Sequence, residues 1–223
     1  MYVYAVSNYE NTIVAKSEDK KHLLRSQFNR TDSFINLALY GAQECIDEHN
    51  LATNASVYMA SRNGDINATL KVMDAIFLKK QLPMPFHFLN SVNAATLFYI
   101  AKSFSLEGKT LFVDRFESAI PQALADVGQG KEVLLGYVEE VINDIDEHKK
   151  RFMHIAREES RWILLSKEKR QKPLAKIANI EFSGENKQDA IKELFTFLSR
   201  QNHLETFSFS GNNLSFNVQG LQE

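Results

Sequence analysis

The sequence is poor in the residues that build many familiar active sites. Across 223 residues it has one cysteine, four prolines and nine glycines. The single thiol, Cys45, excludes an internal disulfide and any metal site made from several cysteines. It lies within the apolar pattern of LALYGAQECI, where a free cysteine packs as a small hydrophobe. Glycine this sparse, against a usual ~7%, leaves few places where backbone can closely approach a phosphate or an oxyanion. No apolar run nears the ~18 residues of a membrane span. The N-terminal MYVYAVSNYE lacks a basic segment leading into an apolar one, so a cytoplasmic protein without a membrane association is expected. With 26 basic and 28 acidic residues, the net charge of -2 offers neither a polyelectrolyte face for nucleic acid nor a charged tail.

What the sequence does have is alternation of strand and helix. Tyr2 to Val6 reads as a first strand. From Ser33, the residues Phe34, Leu37, Ala38, Ala42, Cys45 and Ile46 recur at helical spacing, with Thr31, Asp32 or Ser33 as N-cap. SVYMAS reads as a buried strand ending in a turn at Arg62 to Asp65, and ATLKVMDAIFLKK as a helix closed by Pro83 and Pro85. A helix from Asn93 to Phe104 is apolar nearly all round, which predicts burial. Thr110 to Val113 then forms a strand, Glu117 to Val127 a helix, and KEVLLGYVEE a strand covered on both faces. RWILLS, LAKIANIEF, a helix in KQDAIKELFTFLSRQ and the alternating hairpin TFSFSGNNLSFNV complete the chain. This order predicts a layered α/β/α fold, read as one domain over 1–223.

Candidate chemistry is thin. Gly128-Gln129-Gly130-Lys131 lacks the first glycine and the Ser/Thr of a phosphate loop and leads into a strand, so it reads as a turn. Asp144, Asp146, Glu147, His148 and His154 match no metal-ligand spacing, and their alternating charges suit a solvated face. Neither a metal nor another cofactor is expected. Ser91 and Ser118 stand near strand–helix junctions, yet neither lies in G-x-S-x-G and no histidine can be assigned to either. Glu117 beside Arg115 suits a general base, but an acidic residue in a first helical turn is also favoured by the macrodipole. The basic run KEKRQK, with Lys167, Lys169, Arg170 and Lys172, reads as a solvated hairpin tip or as a landing pad for an acidic partner.

Read in order, ASRNGD (Ala60 to Asp65), PMPFHFLNSVNAA (Pro83 to Ala95), LEGKTLFV (Leu106 to Val113) and GQGKEVLLGYVEE (Gly128 to Glu140) resemble the N-terminal half of β-ketoacyl synthases. The resemblance is strongest to the truncated, thiolase-like chain length factors of bacterial polyketide clusters, and it runs from about Thr31 to Glu140. In condensing enzymes L-R-G-P-S leads through a strand to T-A-C, whose cysteine receives the acyl chain. An ungapped count from Leu106-Glu107-Gly108 puts Glu117 at that cysteine, with Phe116 and Ser118 on either side. None is a thiol, and a carboxylate is a poor partner for thioester exchange. The resemblance also places the catalytic histidines in a C-terminal half before which this sequence is expected to stop. One departure is that truncated relatives read S-V-H-N-A where this chain has Ser91-Val92-Asn93-Ala94-Ala95.

The resemblance implies a subunit that performs no chemistry and pairs with a catalytic ketosynthase as a heterodimer. The strand Lys109, Thr110, Leu111, Phe112 and Val113 would pair across the interface, which is expected to exceed roughly 2,000 Å². Phe86, Phe88, Leu89, Asn90, Ser91, Val92 and Asn93 would reach the partner's acyl tunnel and set how many extension cycles fit, in aryl polyene or other type II polyketide synthesis. Acyl carrier protein would be a transient partner, directly or through the ketosynthase. The residues by themselves leave two rivals open. One is an acyl-transfer or hydrolytic enzyme working at Glu117 and Ser118, the other an acyl carrier protein-binding module using the basic run.

Overall fold

The computed structural model describes residues 1–11, 20–47, 49–142, 158–168, 173–181, 190–200, 205–211 and 214–221. The elements are β1 (Tyr2–Asn11), α1 (Ser33–Ile46), β2 (Ser56–Ala60), α2 (Ile66–Met73), α3 (Pro85–Asn90), α4 (Ala94–Ser103), β3 (Thr110–Val113) and α5 (Phe116–Gly128). They continue as β4 (Val133–Glu139), β5 (Glu158–Ser166), β6 (Ala175–Glu181), α6 (Ala190–Ser199), β7 (Thr206–Gly211) and β8 (Leu214–Gly220). The strands form one eight-stranded sheet in the order β3-β2-β4-β5-β1-β6-β8-β7. β3, β2 and β4 run parallel, and every later pairing is antiparallel.

Alternation along the central strands sorts their side chains into two cores. Val57, Met59, Leu134, Val138, Trp162 and Leu164 face α1 and α4. Tyr58, Ala60, Val133, Leu135, Ile163 and Leu165 face α5 and α6. β4 and β5 are buried along their whole length, as continuous apolar runs predict when both faces of a sheet are covered. The result is the three-layered α/β/α arrangement that the sequence predicts.

Trp162 fixes the close approach of the layers. It is fully buried, and a Cβ placed on Gly136 of the neighbouring strand would stand 2.3 Å from its ring. On the helix side, a Cβ on Gly41 would stand 2.7 Å from the indole Cδ1 and 2.1 Å from Ser160 Oγ. The scarce glycines therefore serve packing here, not ligand approach. Cys45 is likewise buried in the core, where burial pushes its thiol up out of the reactive range.

Three expectations change. α4 is not buried all round: Phe98 is 59% exposed beside Lys102, while Leu97, Tyr99 and Ile100 are buried. The helical pattern over ATLKVMDAIFLKK divides into α2 and a wide turn of π-helix at Asp74–Leu78, and PMPFHFLNSV contributes the short helix α3. The basic run after β5 is not the tip of a β-hairpin, because β1 lies between β5 and β6 in the sheet. Periodicity along the chain detects strands but not an earlier strand inserted between them.

Candidate functional site

The parallel strands β2, β3 and β4 end together, and ligand sites of α/β sheets lie at such carboxyl ends. A cleft of about 380 Å³ opens there, lined by Arg62, Asp114, Arg115, Phe116, Glu117, Tyr137 and Ile191. The three residues at the expected nucleophile position divide. Phe116 is fully buried and packs edge-on against Tyr137 and Phe195, with ring centroids 6.4 Å and 5.8 Å away. Glu117 is half-buried at the first turn of α5 and lies against β7, where a Cβ on Gly211 would come within 3.1 Å of its Oε1. Ser118 is exposed and is not among the lining residues.

Among the described residues no cysteine or histidine lines this cleft, and its charges are two guanidinium groups with two carboxylates. Such a set holds charge, but it has no soft nucleophile with an adjacent base. Just beneath it Glu139, raised above the usual carboxylate range by burial, accepts from the Arg62 backbone N–H and from Asn63 Nδ2 at 3.1 Å. Burial also raises the Tyr137 hydroxyl, so Tyr137 stays protonated.

Across the sheet from Glu139, the fully buried Arg161 donates through Nη2 to Glu10 at 2.7 Å, through Nε to Glu159 at 3.0 Å, and to Asn8. Glu139 and Glu10 are each cross-strand neighbours of Glu159. Thus Arg161 pairs with two carboxylates of this row, and Lys192 Nζ donates to Glu10 as well, at 2.8 Å. The sequence reading passed over this network, since its members are far apart in the chain and become neighbours only through strand register.

The second region is an outward excursion between β2 and α4, comprising α2, the π turn and α3. Phe77, Leu78, Leu82, Met84 and Phe88 are 60%, 75%, 94%, 63% and 59% exposed, and Met73, Ile76, Leu89 and Val92 are also exposed. Isolated surface hydrophobes are ordinary, whereas so many within one excursion are not. The expected tunnel-wall residues again divide. Phe88, Leu89 and Val92 point outward, Phe86 is half-buried beneath the Arg30 guanidinium at 4.1 Å, and Ser91 Oγ donates to Phe88 O at 2.8 Å. Asn90 is buried and donates to Arg30 O, while Asn93 Oδ1 accepts from the Asp65 N–H. The sequence reading did not single out Ile76 to Met84, because a helical pattern does not show which face remains uncovered.

Beside the excursion, α4 packs on β3 at the sheet's edge, and β3 has only β2 as a strand neighbour among the described residues. Leu111, Phe112 and Val113 are half-buried and Thr110 is exposed. Lys109, at the strand's entrance, donates to the buried Asp126 at 2.7 Å. Asp126 also accepts from Ser56 Oγ at 2.6 Å and Tyr58 OH at 2.8 Å. Burial works against its charge, but these donors outweigh burial and hold it at about 2, well below the usual range.

Of the basic run, Lys167 is exposed and donates to Gly128 O at 3.1 Å, whereas Lys169, Arg170 and Lys172 lie outside the described residues. The acidic and histidine set at Asp144 to His154 also lies outside them. No helix among the described residues is long and apolar enough to cross a membrane.

No protein-family model matches the sequence, and no curated protein matches it significantly. Solved structures do match the fold. A chain of the complex of a ketosynthase (ApeO) with its chain length factor (ApeC) from Xenorhabdus doucetiae superposes with a TM-score of 0.65 at 14% identity, over 98% of this chain and 99% of that one. The ishigamide ketosynthase/chain length factor superposes with a TM-score of 0.61 at 14% identity, over 74% of this chain and 52% of that one. The chain therefore spans about half the length of the latter. The protein has the thiolase-like fold seen in these ketosynthase and chain length factor assemblies.

Proposed function

We propose that this chain is a non-catalytic chain length factor that pairs with a catalytic β-ketoacyl synthase and shapes its acyl tunnel in polyketide synthesis, aryl polyene synthesis being the preferred pathway. The observation carrying this reading is a strand–helix junction with Phe116, Glu117 and Ser118 and no thiol, on the same sheet as an edge strand flanked by an exposed apolar excursion. An unreactive junction removes the chemistry. The edge and the excursion call for a covering partner, because both invite aggregation when bare. Likeness to structures whose names join ketosynthase and chain length factor supports the same reading.

In this reading β3, from Lys109 to Val113, adds to the partner's sheet edge, while Phe88, Leu89 and Val92 present bulk to its tunnel. Phe86, Asn90 and Asn93 hold that bulk in place. Steric closure is sharp because packed interiors resist even one added methylene. Acyl carrier protein reaches the complex at the partner's entrance, with Lys167, Lys169, Arg170 and Lys172 as an auxiliary basic contact.

The test is co-expression with a candidate ketosynthase, followed by purification on a tag carried by only one of the two chains. A stable complex that elongates acyl thioesters, with this chain alone inactive and unacylated, is the expected result. Turnover or covalent acylation of the isolated chain would overturn the proposal.

A further inference from the structure

The base of the apolar excursion holds three carboxyl groups that play no part in the reading above. Asp32 caps α1, its Oδ1 accepting from Ile35 N at 3.2 Å. Asp65 caps α2, its Oδ1 accepting from Ala68 N at 3.0 Å. The other oxygen of each, Oδ2, is buried and accepts no hydrogen bond, and the two carboxyl groups lie beside one another. Two carboxylates are acceptors only, so such a contact is a hydrogen bond only if one of them carries a proton.

The surroundings favour keeping that proton. Glu140, at the end of β4, stands beside the pair and accepts from Ser33 Oγ at 3.0 Å and Asn67 N at 3.4 Å. Burial raises it to about 7 despite these donors, and it adds a third negative charge as it ionises. On the neighbouring elements, the Arg30 guanidinium lies over the Phe86 ring and Arg62 faces Glu139. Asn67 Nδ2 donates to Val141 O, and Asn93 supplies its amide oxygen to the Asp65 backbone. The charged groups that act most strongly on Asp65 are both carboxylates, Asp32 and Glu140. Burial first, then the hydrogen bond with Asp32 and the charges of Asp32 and Glu140, raise Asp65 far above the usual carboxylate range.

We propose that Asp65 keeps a proton and donates it to Asp32, and that this proton latches the base of the apolar excursion to the start of α1. While it is present, one hydrogen bond joins the caps of two helices. When it leaves, two buried anions face each other beside a third. α2 then loses its attachment to α1, and the segment from Ile66 to Val92 loosens as a unit. The latch depends on this cluster alone and not on what the excursion binds.

Hydrogen exchange of residues 66–92 in the full chain, referenced to β5 so that the intrinsic pH effect cancels, tests the proposal. Protection of the segment should fall on raising the pH from about 8 to 10, above the titration of Glu140, approaching about tenfold per pH unit where one proton is released on opening. Asp65→Asn keeps a cap oxygen and can donate to Asp32 without titrating, so its segment should show no such fall. Asp32→Asn should behave alike, and it serves if the first variant does not fold. Infrared spectra of the wild type at about pH 8.5, above the titration of Glu140, should retain a protonated-carboxyl stretch. Flat wild-type protection, an unchanged fall in both variants, or absence of that band would overturn the latch. Suppression of the fall by added magnesium or calcium chloride would also overturn it, marking the cluster as a cation site.

Discussion

The backbone N–H of Asp65 donates to the side-chain oxygen of Asn93 at 3.1 Å, joining two residues 28 positions apart. This bond closes the neck of the excursion, so an exposed apolar segment is carried on a fixed base. Gly64 completes the neck. Its φ of +58° is in the left-handed region, and a Cβ there would stand 2.2 Å from Asn93 Oδ1.

Gly64→Ala should therefore destabilise the protein by about 1–3 kcal/mol, through backbone strain and displacement of Asn93. Chemical denaturation measures the loss. Hydrogen exchange should rise in residues 66–92 before it rises in the central strands.

Arg161→Met should cost about 2–4 kcal/mol, because it removes the buried guanidinium that pairs with Glu159 and Glu10 and leaves Glu10 with Lys192 alone of these two cations. Partial rescue is expected from adding Glu159→Gln, which removes one of those charges. A double-mutant cycle read by urea denaturation checks the coupling.

Gly136→Ala should cost about 1–3 kcal/mol or more, since the new methyl needs the space of the Trp162 ring. This is the only tryptophan, so a shifted emission maximum in the folded variant would report the displacement directly. Unchanged stability and emission would contradict the packing described for the sheet.

Asp126 gives the protein an acid-sensitive element. Its folded pKa is depressed, so its contribution is present above the ordinary carboxylate range and is lost as the pH falls from about 4 toward 2. The contribution is about 1–2 kcal/mol, discounted because the Lys109 ammonium is 59% exposed. Lys109→Met should shift the acid-unfolding midpoint upward, whereas neutral-pH stability falls only modestly. Asp65 and Glu140 act in the opposite sense. Their folded pKa values are raised, so the stability they contribute declines as the pH rises from the ordinary carboxylate range, through about 7 for Glu140 and higher for Asp65.

Truncating the outward residues tests the tunnel reading. Phe88→Ala and Leu89→Ala, assayed in complex with the ketosynthase, should shift products toward longer chains, and Asn90→Ala should instead lower complex stability. Mass spectrometry of the released acyl chains distinguishes the two effects.

The local sequence by itself determined the strands, most helices and the layered class. The continuous apolar run of β4 and the helical spacing of Phe34 to Ile46 are physical consequences of which faces must be dry, and they remain legible without coordinates. Motif order also directed attention to the strand–helix junction at Glu117, which lines the cleft. Tertiary structure alone decided which apolar residues stay uncovered, as Phe98 and Leu82 show, because burial depends on a neighbour that periodicity cannot name. It alone inserted β1 between β5 and β6, brought Arg161 to Glu10, and set Asp32 against Asp65. Each of those pairings depends on strand register or on loops meeting in space, and such contacts between distant segments leave no local pattern to read.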